Sequence, residues 1–213
     1  MTAASQTRSP RGRRAARPSG DDRELAILET AERLLEDRSL AEISVDDLAR
    51  GAGISRPTFY FYFASKDAVL LTLLERVISE ADGALERLIT ERPAGRHEIW
   101  RHGINVFFET FGAHRAVCAA TVAAKSVNPE ARELWARSMQ RWIDHIATVI
   151  EAERAAGAAP VTVPAVELST ALNLMNEAVM AAAFAGHQPS IPDNRVLDSL
   201  AHVWTASIYG DTP

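Results

Sequence analysis

The chain has 213 residues, 47% of them apolar, and a formal net charge of −5. This excludes a mainly disordered protein, which would carry fewer apolar groups and a larger charge imbalance. A chain of this length buries roughly 70% of its unfolded surface and needs no disulfide staples. Its one cysteine, Cys118, fits a reducing compartment and cannot build a cysteine-based zinc site. No apolar run approaches the ~20 residues of a membrane span and no signal peptide is legible, so a cytoplasmic protein without membrane partners is expected.

The net charge is unevenly distributed. Residues 1–20 carry Arg8, Arg11, Arg13, Arg14 and Arg17 and no acid, residues 21–66 sum to −4, and residues 67–213 sum to −6. Residues 1–21 therefore read as a flexible basic arm, with Pro10, Gly12, Pro18 and Gly20 favouring an extended chain. Such an arm is either a solvated tag or a device that reaches DNA phosphates.

After the arm, Asp21 or Asp22 offers a helix N-cap. Ile27, Leu28, Ala31, Leu34 and Leu35 then keep the spacing of one apolar helix face. Ser44 is read as the cap of a short second helix with Val45, Leu48 and Ala49 turned inward. Gly51 and Gly53 end it, Ile54 anchors the turn, and Ser55 caps a third short helix running through Phe63. Ser65 caps a longer fourth, and five more amphipathic segments are expected over 95–113, 115–126, 130–156, 163–185 and 193–209. No segment shows period-2 alternation. The predicted fold is all-α with about nine helices.

The stretch from Ser44 to Phe63 reads as a helix-turn-helix, with Ser55, Arg56, Thr58, Tyr60 and Tyr62 on the exposed face of its second helix. No acid lies between Ile54 and Lys66, which suits a surface that meets phosphates. An ordinary helical hairpin with a core aromatic stripe is the bland alternative. Phe59 and Phe63 fit that alternative, but two tyrosines exposed beside an arginine do not.

The run TFYFYFASKDAVL (58–70) behind this turn resembles the signature of TetR-type repressors, with a specific match over residues 24–75. A narrower likeness to one regulator of that family extends over nearly the whole chain, weakest around 90–98 and 115–132. The resemblance implies three parts: the 1–21 arm, a helix-turn-helix DNA-binding domain over 22–66, and a ligand-binding and dimerisation domain over 67–213. It implies a homodimer on double-stranded operator DNA, with several dimers loaded on one operator and half-sites about 34 Å apart or a multiple of it. The contact set it implies is Ser55, Arg56, Pro57, Thr58, Tyr60, Tyr62 and Lys66, to which Ser44 at the start of the preceding helix is added. Thr58 and Tyr60 are expected near bases, Tyr62 and Lys66 at phosphates.

In the larger part, Trp100, Gly103, Phe107 and Phe111 share one helical face. Met139, Trp142 and Ile146 share another, Asn173, Asn176 and Met180 a third, and Trp204 joins from the last segment. These stripes are either core or the wall of a lipophilic pocket, and the resemblance implies a tunnel for a lipophilic small-molecule effector. A buried amide needs a partner, since leaving it unpaired costs about 1–3 kcal/mol. His145, Ile146 and Ala181 stand where the narrower likeness has aromatic or hydroxylic residues, which implies a different pocket outline. Leu168, Leu172, Val179, Val196, Leu197, Leu200, Val203 and Ile208 supply either a second core face or the dimer contact that the resemblance implies.

The six histidines show no HxxxH or HExxH spacing, and no catalytic constellation is visible beside Glu109 and Glu177, which are expected near the pocket. No enzyme activity, metal or cofactor is expected. An all-α hydrolase, a lipid carrier and a helix-turn-helix protein with a ligand-blind core are the rival classes. The resemblance implies a ligand-responsive repressor, with a flavin-dependent monooxygenase gene as its target. Removing residues 1–20 is expected to flatten the salt dependence of operator binding, by about 0.9 in log–log slope for each phosphate that the shortened protein no longer neutralises. Anisotropy titrations over a salt series measure it, and an identical slope would show the arm to be idle.

Overall fold

A computed structural model describes residues 20–91 and 95–210, so the basic arm lies outside the described residues. Among them are nine helices and no strand: α1 (Gly20–Leu35), α2 (Val45–Gly51), α3 (Arg56–Tyr62), α4 (Lys66–Glu91), α5 (Arg96–Ala113), α6 (Arg115–Lys125), α7 (Pro129–Ala155), α8 (Ala165–Ala185) and α9 (Asp193–Tyr209). Boundaries follow local chemistry. Ser44 and Asp47 form a reciprocal capping box at α2, and Ser55 and Ser65 accept from the backbone N–H groups of Thr58 and Ala68. α1 starts a residue ahead of the expected cap, so Asp21 and Asp22 sit in its first turn, where the helix dipole favours negative charge. Phe63 is the C-cap of α3 rather than its last residue.

Two glycines shape the turn between α1, α2 and α3. A Cβ on Gly51 would lie 2.3 Å from the Thr30 methyl carbon of α1, so only glycine lets the two helices cross this closely. Gly53 turns the chain at φ +67°, in the left-handed region that costs other residues. The next residue, Ile54, is half-buried rather than fully buried; its N–H donates to the Ala49 carbonyl at 2.9 Å.

The N-terminal half of α4 closes a core over α1–α3 through Ile27, Leu28, Leu48, Phe59, Val69 and Leu70. The same buried cluster continues down α4 through Leu74, Val77 and Ile78 to Val117 of α6 and Trp142 of α7. A second cluster, with Trp100, Ile104, Ile150, Leu172, Leu200 and Trp204, joins α5, α7, α8 and α9. The sequence division at residue 66 falls where α4 begins, and α4 packs on both sides of it.

The apolar residues of the last two helices divide between core and surface. Leu172, Val196, Leu200 and Ile208 belong to the chain's own core, whereas Val166, Leu174 and Val203 face outward. The periodic stripe therefore marks an inner face, and the outward apolar residues lie between its repeats.

Lys66 also departs from its expected place at a phosphate. Its ammonium donates to the carbonyls of Leu40, Ala41 and Ile43 at 2.6, 3.0 and 2.9 Å, which uses all three protons. It ties the 40–43 loop to the start of α4, because those carbonyls have no helical partners of their own. Lys66→Met is expected to lower the unfolding free energy by about 1–3 kcal/mol, because the charge-assisted bonds disappear. Urea denaturation measures it; a change within about 0.5 kcal/mol, the usual range for a surface substitution, would mean that the loop holds without it.

Candidate nucleic-acid interface and cavity

The outer face of α3 presents Ser55, Arg56, Pro57 and Tyr60 as exposed residues, with Thr58 half-buried. The groups are organised before any ligand arrives. Ser55 Oγ lies 2.8 Å from Thr58 Oγ1, and Arg56 donates to the Tyr60 hydroxyl at 3.4 Å while its guanidinium stands 5.9 Å from that ring's centre. The hydrogen bond from Arg56 to Tyr60, followed by the charge of Asp46, raises the guanidinium's pKa above its ordinary value. Asp46 comes from α2 and sits 3.2 Å from Arg56. The segment is thus acid-free along the chain but not in space, since this arginine is already paired with Asp46.

Tyr62 is half-buried against the core, which leaves less of it for a phosphate. Ser44 spends its hydroxyl on Asp47 within the capping box. Two residues outside the expected set are more accessible. Phe61 is 91% exposed, the largest apolar exposure on α3, and Arg50 at the end of α2 has a side chain 79% exposed. Phe61 stands two residues from both Phe59 and Phe63, about 200° round the helix from each, and that spacing could have flagged it. Arg50 escaped because it precedes the turn.

The eleven residues expected at a pocket are all brought to the walls of two adjoining cavities. One of about 70 Å³ has Phe111, Met139 and Met180 on its wall, the other, about 30 Å³, has Trp100, Gly103, Ile146 and Trp204. Phe107, Trp142, Asn173 and Asn176 line both and form the neck between them. Asn176 Oδ1 accepts from the Trp204 indole at 2.9 Å, and Asn173 donates to the Ser169 carbonyl at 2.9 Å. Each amide is more than nine-tenths buried, and its other polar atom has no hydrogen-bonding partner among the described residues.

Several wall residues were not expected. Trp135 shares the α7 face of Met139 and Trp142, at i, i+4 and i+7, and its periodicity could have found it. Cys118 lies on the wall too; burial and then Glu32 push its thiol up to about 12, so it remains a neutral lining group. Glu177 lines the larger cavity paired with Lys125, whereas Glu109 is exposed on α5 and takes no part. His145 and Ala181 line the smaller and the larger cavity respectively.

Two contacts join this body to the helices that carry the interface. The Trp142 indole donates to Asp82 of α4 at 2.7 Å, and Arg141 pairs with the same carboxylate at 3.0 Å. His114, between α5 and α6, bonds through Nδ1 to Glu32 of α1 and stands through Nε2 3.3 Å from Glu80 of α4. Burial disfavours charge on this ring, but hydrogen bonding and attraction from Glu32, and then Glu80, outweigh it and raise its pKa.

A short helix-turn-helix joined through α4 to a helical body with an apolar cavity defines a DNA-binding regulator rather than an enzyme. Residues 27–73 match the family model described as bacterial regulatory proteins, tetR family, and residues 100–210 match the C-terminal domain of transcriptional regulator EthR. The chain belongs to the TetR family of transcriptional regulators, whose members bind operator DNA and small molecules and act as dimers. Within it, the chain is 66% identical over 212 residues to the HTH-type transcriptional regulator EthR of Mycobacterium tuberculosis, covering 99% of this chain and 98% of that protein. The EthR of Mycolicibacterium smegmatis is 55% identical over 213 residues, covering 100% and 98%. A transcriptional regulator from Saccharomonospora viridis, solved in complex with choline, is 25% identical with a TM-score of 0.71 over 84% of this chain and 94% of that one. A TetR-family structure from Syntrophomonas wolfei shares the fold at a TM-score of 0.73 and 14% identity, covering 89% and 96%. Among the described residues no cluster of side chains could hold a metal ion, and no helix is long and apolar enough to cross a membrane.

The His114 contact carries a pH dependence whose sign is set by the raised pKa. Its stabilisation is complete below the unfolded value of 6.5 and is lost as pH rises through the higher folded value. Glu29, Glu75 and Arg76 border the same groove. The unfolding midpoint of the wild type is expected to fall above pH 6.5 relative to His114→Gln. Scanning calorimetry from pH 6 to 9 compares them; parallel curves would remove the histidine from the balance.

Proposed function

We propose that this protein is a ligand-responsive repressor that binds operator DNA as a homodimer in the cytoplasm and is released by a lipophilic small molecule. The observation that carries the reading is the hydrogen bond from Trp142, at the neck of the cavities, to Asp82 on α4. A ligand that fills the neck displaces the Trp142 ring. The load passes through Asp82 to the helix whose first turns close the DNA-binding core. Rotation of α4 changes the spacing of the two recognition helices, which must match half-sites about one helical turn, ~34 Å, apart.

Within this reading Ser55, Arg56, Pro57, Thr58 and Tyr60 meet DNA, with Phe61 supplying apolar contact and Ser44 and Lys66 holding the frame. Thr58 and Tyr60 read base edges, and the accessible part of Tyr62 reaches the backbone. The ligand takes apolar contact from Trp100, Phe107, Phe111, Met139, Ile146, Met180 and Trp204, with Gly103 leaving room beside them. The free atoms of Asn173 and Asn176 fix its one polar group. The likeness to EthR favours a flavin-dependent monooxygenase gene as target and several dimers per operator.

The test uses an operator fragment recovered by immunoprecipitation of the protein and 1-decanol as an apolar probe. Tyr60→Ala is expected to weaken operator binding at least tenfold while the dimer stays folded by circular dichroism and light scattering. Saturating decanol is expected to weaken wild-type binding by 5–150-fold, and Asp82→Leu, which leaves the Trp142 indole no side-chain acceptor there, to lose most of that response. No effect of decanol on the wild type would sink the repressor reading. Equal release in both proteins would show that Asp82 does not transmit it.

A further inference from the structure

The larger cavity is mostly apolar; besides Thr121 and the two neck amides, its wall carries one ion pair, Lys125 on α6 with Glu177 on α8, at 2.5 Å. Both side chains keep about a fifth of their surface accessible, 21% and 23%, and the neighbouring wall residue Val122 is 51% exposed. These residues belong at once to the cavity and to the molecular surface, so the pair stands where the cavity opens. The two charges are held unequally. Lys125 Nζ also lies 4.8 Å from the centre of the Trp135 ring, whose face attracts a cation. Glu177 has Lys125 as its one hydrogen-bonding partner among the described residues.

From this asymmetry we infer that the pair is a head-group reader: Glu177 swings aside while Lys125 stays on Trp135 and receives the carboxylate of a single-chain amphiphile. The effector is then a carboxylate with a long apolar tail. The tail lies against Phe107, Phe111 and Trp142 towards the neck, and the head stops at the mouth. The carboxylate takes over the partner that Glu177 gives up, so the ammonium is never left bare. Glu177 moves to water, where it needs no partner. A cationic head would instead have to remove Lys125 from two attractions at once, and an uncharged head would gain no charge-assisted bond. The inference rests on the cavity being the effector site and adds the chemical class of the effector.

Three probes share a ten-carbon tail: decanoate, 1-decanol and decyltrimethylammonium. All four tryptophans of the full-length protein line the cavities, so quenching of their fluorescence reports binding directly. At pH 7.5 and low salt, decanoate is expected to bind at least tenfold tighter than decanol, with decyltrimethylammonium the weakest. Lys125→Met is expected to collapse the decanoate-to-decanol ratio to near one, Lys125→Arg to keep it, and Glu177→Gln to raise it by removing the competing charge. Equal affinity for decanoate and decanol in the wild type would overturn the head-group reading and leave the cavity reading intact. Tightest binding of decyltrimethylammonium, lost in Glu177→Gln, would overturn it in favour of a cationic effector. Absence of binding by all three would overturn both readings together.

Discussion

Helix α4 belongs to two cores, and the rest of the molecule depends on that constraint. Its 26 residues span about 39 Å at 1.5 Å per residue, longer than either end of the molecule could use alone. Its upper residues, Val69 and Leu70, seal Phe59 of the recognition helix, and its lower residues, Leu74 to Ile78, pack on α6 and α7. Because packed interiors have little slack, a displacement at the lower end cannot be absorbed locally. It must either be resisted by the body or delivered to α1–α3. The Trp142–Asp82 bond and the His114–Glu80 contact fasten this helix to the body, and the His114–Glu32 bond fastens α1.

Charge is organised on the same plan. The acidic body, the recognition face and the basic arm differ in sign along the chain, but folding rearranges the local balance. Asp46 is brought to Arg56, and Lys66 is drawn away from the outer surface to three backbone carbonyls. The recognition face is consequently less positive than its sequence, and it relies on hydroxyl, aromatic and apolar groups. An acidic body limits non-specific attraction to DNA, and under the proposed function binding is left to this small face.

The cavity shows how polar groups are used sparingly in an aromatic setting. Trp100, Trp142 and Trp204 each give the indole proton to a protein oxygen, on Tyr209, Asp82 and Asn176. That holds the rings in place and leaves their faces to the cavity. One atom of each neck amide and the Lys125–Glu177 pair remain as polar features of the wall.

The helices, three serine caps and the helix-turn-helix were legible in the sequence, because apolar periodicity, Ser44, Ser55 and Ser65 as caps, and Gly53 as a turn act within a few residues of themselves; the cap of α1 was not, since that helix starts ahead of Asp21. Apart from Gly103, the wall residues were legible for a related reason: a side chain on an inward stripe faces the interior whatever else surrounds it. Which partner each polar group takes was not legible. Lys66 and Ile43, Arg56 and Asp46, Trp142 and Asp82, and Lys125 and Glu177 are separated by 10 to 60 residues. No local pattern encodes such pairs. Nor could the apolar stripes of α8 and α9 say which residues turn outward, since helical periodicity defines a face but not its neighbour. Helix identity is decided by short-range backbone and side-chain sterics. The pairing of charges and the division between core and surface are decided only when distant helices meet, because burial and hydrogen-bond partnership are properties of the packed structure.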